Sequence, residues 1–201
     1  TEERGVYRFL TIRPGAYHGQ VIVPATKTSV RLIGLGRGPH DVVIADDRAN
    51  GSPKPDGSGT WGTSGSASVT IEAPDFRAEN LTFANLFDES AHPEITARQA
   101  VAVLTRADRL SFRRVRFLAN QDTLYVNSTA ATVSARAYFA DCYVEGDVDF
   151  IFGDTMGQLM TNHIERHGEA VEQLLVAIAK YHLGRIPECV VVILAKVNRG
   201  V

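Results

Sequence analysis

Cysteine is scarce in this chain, since only Cys142 and Cys189 occur among its 201 residues. Two cysteines allow one bridge at most, which excludes a disulfide scaffold. Long apolar runs are also missing, because the longest, Val190–Ala195, is far too short to span a bilayer. Neither sign of charge dominates: the net charge is −2 and the pI is about 6.3. We therefore expect no nucleic-acid partner and no membrane partner.

Apolar residues make up 44% of the chain and charged residues 22%, a balance typical of a globular protein rather than a disordered tail. A length of 201 residues is enough for one domain, with or without an appendage. The chain begins at Thr1 without a signal-like apolar stretch, so we expect a mature or excised piece of a protein. The composition gives no indication of an oligomeric state.

Residues 5–155 have the composition of β-structure. Val and Thr are frequent, and Gly, Pro, Asn or Asp interrupts the short apolar runs every few residues. No helix of ten or more residues is expected in this region. The predicted strands are Val6–Arg13, Gln20–Val23, Ser29–Ile33, Val42–Ala45, Ser68–Ala73, Asn80–Phe83, Ala100–Leu104, Arg109–Phe112, Arg114–Phe117, Ala137–Phe139, Cys142–Val144 and Val148–Phe152.

A weak repeat crosses the same region. The segments RLIGLG, NLTFAN, RVRFLAN and DCYVEG begin at residues 31, 80, 114 and 141, and each has a polar start, alternating apolar positions and a final Gly or Asn. Gly and Asn accept the positive φ of a sharp corner. Short strands with recurrent corners favour an all-β fold, a parallel β-helix whose coils stack over one core. A β-sandwich is the alternative, although N-G and D-G hairpin turns are missing from the strand junctions.

Two segments differ from this pattern. The Gly/Ser/Pro-rich segment Asn50–Ser66 predicts a long surface loop that could cover a site, and its Trp61 either stacks on a sugar ring or anchors the loop. From about His163 to Leu183 apolar residues recur at helical spacing, and the apolar run 189–197 then predicts a strand. We therefore divide the chain into a β-helix domain, residues 1–155, and a tail of helix and strand, residues 156–201.

Two amides and two carboxylates are the candidate chemical groups. From Gln99 to Gln121 is 22 residues and from Asp122 to Asp149 is 27, which are plausible lengths for one coil. Residues one coil apart lie about 4.8 Å from each other, so the four could form one column. Asp149 precedes the apolar residues Phe150–Phe152, so we expect its carboxylate to be partly shielded from water. When such a carboxylate lies beside a second one, the pKa of one should be low and that of the other raised. That separation suits an ionised nucleophile and a protonated acid, whereas turn capping and an amide ladder are the structural alternative.

Gln121 and Asp122 are consecutive, so on a regular strand their side chains would face opposite ways. Both reach one site only at a strand end or corner, which Asn120 would permit. A different pair, His163 and His167 in HIERH, is spaced like metal ligands on a helix but has no third ligand. We expect no metal site.

Several motifs occur in a characteristic order: IRPGAYHGQVIVP (12–24), GTSGSASV (62–69), NLTFAN (80–85), QAVAV (99–103), FLANQDTLYV (117–126) and CYVEGDVDFIFG (142–153). Together they resemble the pectinesterases, the pectin methylesterases of the bacterial type, over about Arg4 to Asp154. The resemblance implies a right-handed, single-stranded parallel β-helix and a secreted hydrolase without a cofactor. It also implies methyl-esterified polygalacturonate, pectin, as the substrate.

The resemblance further implies a role for each matching residue. Asp149 matches the nucleophile, and Asp122 matches the general acid that later acts as base. Gln121 matches the main oxyanion donor and Gln99 a second amide near the oxyanion. Tyr125 and Phe152 match parts of the sugar-binding cleft, which completes the set of candidate site residues.

One family segment has no proper match in this chain. The family's later Leu-Gly-Arg-Pro-Trp places an Arg against the nucleophilic Asp, whereas Leu183–Arg185 echoes only its first three residues and comes too soon after Gly153. Without that Arg, Asp149 lacks a charge partner, and we expect severe loss of turnover. Two alternatives stay open: a non-catalytic carbohydrate-binding or structural β-helix, and an esterase or thioesterase for another acyl group.

Overall fold

Parallel pairing joins the strands of this chain. The computed structural model describes residues 7–130, 133, 135–153, 157–165 and 192–195. Its strands are β1 (Arg8–Ile12), β2 (Gly15–His18), β3 (Val21–Val23), β4 (Val30–Gly34), β5 (Val42–Asp46), β6 (Val69–Ile71), β7 (Arg77–Asn85), β8 (Val103–Arg106), β9 (Leu110–Leu118), β10 (Leu124–Asn127), β11 (Ala135–Ala140), β12 (Cys142–Glu145), β13 (Ile151–Phe152), β14 (Gly157–Glu165) and β15 (Val192–Ala195). A 3₁₀ turn, Pro39–Asp41, and a short helix, α1 (Gly62–Gly65), complete the elements.

The strands form two sheets, between which the chain passes in every coil. The five-stranded sheet has the order β13-β10-β8-β6-β3, and ten strands form the other. The larger sheet covers two of the three sides of the β-helix. One side contains β1, β4, β11 and the first halves of β7 and β9. The other side contains β2, β5, β12 and the second halves of β7 and β9. Three faces per coil and parallel pairing throughout confirm the predicted β-helix.

The coils differ in length because loops are inserted at their corners. Along the five-stranded sheet, paired residues are 48, 34, 21 and 27 positions apart in sequence. Three of the four predicted repeats stack in register, since Leu81 pairs with Val115 and Tyr143 with Arg116. The assignment of RLIGLG as the first repeat was wrong, because Val43 pairs with Thr82. The segment in register with the other three repeats is residues 41–46.

Non-glycine residues with positive φ mark the corners of successive coils. They are Ser29, Asp75 and Arg109 at one corner, Asn80, Arg114 and Asp141 at a second, and Asp122 and Asp149 at a third. Five of these eight are Asp or Asn, the side chains best suited to the left-handed region after glycine. The corner positions are therefore stacked in the same way as the strands.

The core lies inside the coils and is dominated by aromatic rings from successive turns. The rings of Phe112 and Phe139 stack with centroids 4.8 Å apart, and Phe112 also contacts Phe117 and Phe76 at 5.4 and 6.0 Å. Each of these four side chains is fully buried. Offset and edge-on aromatic contacts of this kind add to the free energy gained by burying the rings.

Most predicted strands exist, with shifted ends. Arg109–Phe112 and Arg114–Phe117 are one strand, β9, which bends at Arg114. Three strands were missed: β2 is exposed at all four positions and begins after Pro14, β10 is only four residues long and shows no alternation, and β14 lies in the segment assigned to the tail. None of the helices in the described part of the chain is long and apolar enough to cross a membrane.

The tail begins as a continuation of the β-helix. Strand β14 pairs with β11 and β12, so the predicted helix is wrong for His163–Glu165, which extend that strand. Residues 166–183, where the rest of the helix was predicted, lie outside the described residues, as does Cys189. Strand β15 lies within the strand predicted for 189–197. The division of the chain after residue 155 stays a prediction, and Cys142 is a buried free thiol.

Removing one ring of the aromatic stack should destabilise the fold without touching its surface. We expect Phe112→Ala to lower the free energy of unfolding by about 3–5 kcal/mol, because it deletes a fully buried ring and leaves a cavity. Phe9→Ala is the control, since Phe9 is 60% exposed and its loss should cost less than about 1 kcal/mol. Urea unfolding measures both, and equal effects would contradict the assigned core.

Candidate active site

The two candidate carboxylates occupy the same row of adjacent coils. Leu124 pairs with Ile151, which places Asp122 and Asp149, each two residues earlier, side by side. The backbone N–H of Asp122 donates to the carbonyl of Val148 at 2.9 Å, which extends this register to the corner itself. Neighbouring parallel strands lie about 4.8 Å apart. The fold thus brings together two acids that are 27 residues apart in the sequence.

The environments of the two carboxylates differ strongly. Asp122 is only 6% exposed, and burial, assisted by the negative charge of Asp149, raises its pKa from 3.8 to about 7. Asp149 is exposed, so the expectation that it is the drier carboxylate was wrong. The apolar neighbour Phe150 turns into the core and leaves the Asp149 side chain at the surface. A protonated acid beside an exposed carboxylate is the arrangement that acid-assisted nucleophilic chemistry needs.

The backbone conformation of the corner explains how the consecutive residues Gln121 and Asp122 can depart from the alternation of a strand. Asp122 has φ +66°, and Asp149 has φ +45° in the equivalent position of the next coil. The regular alternation of a strand therefore does not apply to Gln121 and Asp122. Gln121 is half-buried, and its side-chain amide has no hydrogen-bond partner within the ranges that the structure describes. It is free to bind a ligand.

Gln99 lies one coil earlier but is displaced by one residue from the row of Gln121. The coil between β8 and β10 is 21 residues long, and the Ala100 N–H donates to the Gln121 carbonyl at 3.0 Å. The Gln99 Oε1 accepts a hydrogen bond from Asn50 Nδ2 at 2.9 Å. Its Nε2 has no acceptor among the described residues. Asn50 was missed by sequence reasoning, because it lies 49 residues away in a loop of turn-forming residues.

A glycine allows the turns that carry the two acids to approach closely. A Cβ at Gly146 would lie 2.4 Å from Thr123 Oγ1 and 2.6 Å from the Asn120 carbonyl oxygen. The Thr123 hydroxyl also donates to the Glu145 carbonyl at 2.8 Å. Segment 145–149 is thus held against the turn at residues 120–123, and this contact fixes how far apart the carboxylates lie.

The long loop at residues 50–66 is anchored beside this row. The Arg48 guanidinium lies 4.2 Å from the centroid of the Trp61 ring, and Trp61 is half-buried. Of the two interpretations of Trp61, this contact favours the loop anchor. Backbone hydrogen bonds from Asn50 N to the Gln99 carbonyl and from Gly51 N to the Ala97 carbonyl, both 2.8 Å long, fasten the start of the loop to the segment before β8.

Two aromatic rings extend the site along the five-stranded sheet. Tyr125 and Phe152 pair in register, and their rings stack with centroids 4.1 Å apart. Each ring comes three residues after one of the carboxylates, which is about 10 Å along an extended chain. Both are half-buried against Val101 and Leu104, so part of each ring remains exposed to a ligand.

Elsewhere in the part of the chain that the structure describes, one group of side chains has the spacing to hold a metal ion. His18, Asp46 and Asp47 each place a ligand atom within 4.8 Å of the others. The buried Asp46 carboxylate already forms an ion pair with Arg48, with Oδ2 and Nη2 2.5 Å apart. A cation would have to displace that guanidinium, so this group fits a metal poorly. His167 of the HIERH pair lies outside the described residues.

The fold and the site together define a parallel β-helix protein with two carboxylates and two amides at the start of one sheet. The pectinesterase family model matches residues 2–183 of this sequence, and the chain therefore belongs to the pectinesterase family. The match continues beyond Asp154, where the resemblance in the sequence was expected to end.

Individual relatives agree with this assignment. A pectinesterase of Ralstonia nicotianae is 34% identical over 157 residues, and this match covers 73% of this chain and 39% of that protein. The structure of pectin methylesterase PemA from Erwinia chrysanthemi superposes with a TM-score of 0.70 at 34% identity, over 84% of this chain and 50% of that one. A pectin methylesterase in complex with a hexasaccharide gives 0.71 at 34% identity, over 85% and 50%. The chain thus spans half or less of the length of these relatives.

The raised pKa of Asp122 makes stability depend on pH in a defined direction. The folded protein holds the Asp122 proton more tightly than the unfolded chain, so Asp122 should stabilise the fold fully below about pH 4 and should make the free energy of unfolding fall as pH rises to about 7. We expect this fall to be on the order of 2 kcal/mol larger in the wild type than in Asp122→Asn. Urea unfolding between pH 4 and 8 measures it, and parallel pH curves would contradict the assignment.

Proposed function

We propose that this chain is a carboxylic ester hydrolase that removes methyl esters from polygalacturonate through an aspartate nucleophile. The observation that carries the proposal is the buried Asp122, with its pKa raised to about 7, beside the exposed Asp149. Membership of the pectinesterase family supports the same reaction. A secreted location, which the family resemblance implies, is part of this proposal.

The first step is acyl transfer to the enzyme. A carboxylate oxygen of Asp149 attacks the C6 carbonyl carbon of a methyl-esterified galacturonate, and the negative charge moves to the carbonyl oxygen. The side-chain NH₂ groups of Gln121 and Gln99 are the donors for that oxyanion. Each donor of this type is worth a few kcal/mol of transition-state stabilisation.

Asp122 carries the proton in both halves of the reaction. In its neutral form it donates a proton to the methoxy oxygen as the bond to C6 breaks, and methanol leaves. The Asp122 carboxylate then takes a proton from water, and the resulting hydroxide attacks C6 of the acyl-enzyme. Cleavage of the anhydride bond regenerates the Asp149 carboxylate and leaves a free acid on the polymer.

The aromatic pair supplies a surface for the sugar chain. Tyr125 and Phe152 follow the carboxylates along the strands, so a polymer with an ester at Asp149 would place a neighbouring sugar ring against them. Apolar sugar faces pack on aromatic rings. The hexasaccharide complex of a family relative supports a polymeric ligand.

A second function stays in consideration because of one observation. Asp149 forms no ion pair within the described part of the chain, which does not include Arg185. A nucleophilic carboxylate is better aimed when a cation holds it. A protein that binds pectin without cleaving its esters would have this arrangement, and the same assay separates the two functions.

Methanol release from esterified pectin tests the proposal directly. We expect slow release by the wild type, because the family's Leu-Gly-Arg-Pro-Trp segment has no proper match, and a further loss to background in Asp149→Asn and Asp149→Ala, because the covalent step is removed. Asp141→Asn is the matched control, since Asp141 is also an exposed aspartate with positive φ, at a different corner of the helix. Its activity should remain at the wild-type level.

Three outcomes would each contradict a part of this proposal. Pectin binding without methanol release would favour the non-catalytic function. Release that survives Asp149→Ala would exclude Asp149 as the nucleophile. Activity on other acyl esters or thioesters, with none on pectin, would exclude pectin as the substrate and favour an esterase or thioesterase for another acyl group.

A further inference from the structure

We propose that Asn50 is a positioning residue, which holds the side-chain amide of Gln99 with its NH₂ group toward the reacting ester. The proposal rests on the proposed esterase function and adds a residue to it. It also gives the loop at residues 50–66 a role in the reaction, beyond the surface loop that its composition predicts.

Asn50 contacts Gln99 through both its side chain and its backbone. Its Nδ2 donates to Gln99 Oε1 at 2.9 Å and also to Thr63 Oγ1 at 3.1 Å, while its backbone N–H donates to the Gln99 carbonyl at 2.8 Å. The two hydrogens of one NH₂ group are thus shared between two acceptors. Asn50 thus presents only a donor to Gln99, and this donor can bind the Gln99 amide oxygen but not the Gln99 NH₂.

This arrangement selects one of the two orientations of the Gln99 amide. The terminal torsion of Gln is broad and roughly two-fold, so an unrestrained amide presents either its oxygen or its nitrogen to a ligand. Turning the Gln99 amide would place its NH₂ against the Asn50 NH₂ and lose the hydrogen bond. The observed orientation leaves Nε2 as the unpaired end within the described structure. A developing oxyanion is stabilised by that end and repelled by the other.

Asn50 is itself held in place, as a positioning residue must be. The Gly62 N–H donates to the Asn50 carbonyl at 3.0 Å, which closes the base of the loop. Gly51 packs so closely on the neighbouring segment that a Cβ there would lie 2.9 Å from Ile95 Cγ2 and 3.1 Å from the Ala97 carbonyl oxygen. A donor fixed before the substrate arrives needs no reorganisation during the reaction.

The sharpest test reverses the hydrogen-bonding character of residue 50 without changing its size. In Asn50→Asp the carboxylate can only accept, so it should attract the Gln99 NH₂ and turn Oε1 toward the ester. We expect kcat for methanol release to fall about 30–100-fold with KM changed less than about threefold. Asn50→Ala merely releases the amide and should cost about 3–10-fold. Thr60→Asp, at an exposed position of the same loop, is the charge control and should have wild-type kinetics.

A double-mutant cycle with Gln99→Ala separates positioning from a direct effect of residue 50. If Asn50 acts through Gln99, then Asn50→Asp and Asn50→Ala should cause no further loss of kcat in the Gln99→Ala background. A fall as large as in the wild-type background would show a direct effect of the charge or of the loop, and would overturn the proposal. Wild-type kinetics in Asn50→Asp would overturn it as well.

A readout without catalysis keeps this proposal distinct from the esterase function. In ¹⁵N NMR spectra of the full chain, the Gln99 side-chain NH₂ should exchange rapidly with solvent in the wild type. In Asn50→Asp, one of its hydrogens should shift downfield and exchange more slowly. If the wild type releases no methanol, the proposed function fails and this spectrum alone decides the Asn50 contact. Identical Gln99 side-chain signals in the two proteins would overturn it.

Discussion

The stacking of one coil on the next, at the spacing of a parallel sheet, is the constraint on which the rest of this structure depends. A backbone hydrogen-bond ladder fixes neighbouring coils at about 4.8 Å, whatever the length of the loops between them. Coils of 48, 34, 21 and 27 residues therefore still place equivalent positions in one row. The aromatic core, the stacked corners and the two carboxylates all follow from that alignment.

The same stacking explains why two identical side chains acquire different properties. Asp122 lies between the coil that carries β8 and the coil that carries β13, and it is almost fully removed from water. Burial penalises its charged form, and the neighbouring charge of Asp149 adds to that penalty. The difference between the two carboxylates, which the proposed reaction uses as acid and nucleophile, therefore comes from position in the stack rather than from any difference between the residues themselves.

Much of this could be predicted from the sequence, because corners and short apolar runs are local signals. They placed most strands and brought Asp122 and Asp149 into one row from their spacing alone. The assignment of the segment that begins at Arg31 to the repeat was wrong, since alternating apolar residues do not reveal to which side of a coil they belong. The Asn50–Gln99 contact was also beyond reach, because a side-chain hydrogen bond across 49 residues leaves no periodic trace. Asp149 is exposed because the side chain of Phe150 lies in the core, and the sequence does not define this orientation.

The left-handed corner shared by Asp122 and Asp149 limits how evolution or an experimenter can alter this site. For most L-residues that backbone conformation costs roughly 1–2 kcal/mol, whereas Asp and Asn tolerate it because of their short polar side chains. Replacement by a bulky or β-branched residue would thus remove the carboxylate and strain the corner at once, so a loss of function would not identify its cause. Asparagine alone keeps both shape and backbone preference, so it is the substitution that removes either carboxylate with the least strain on the corner.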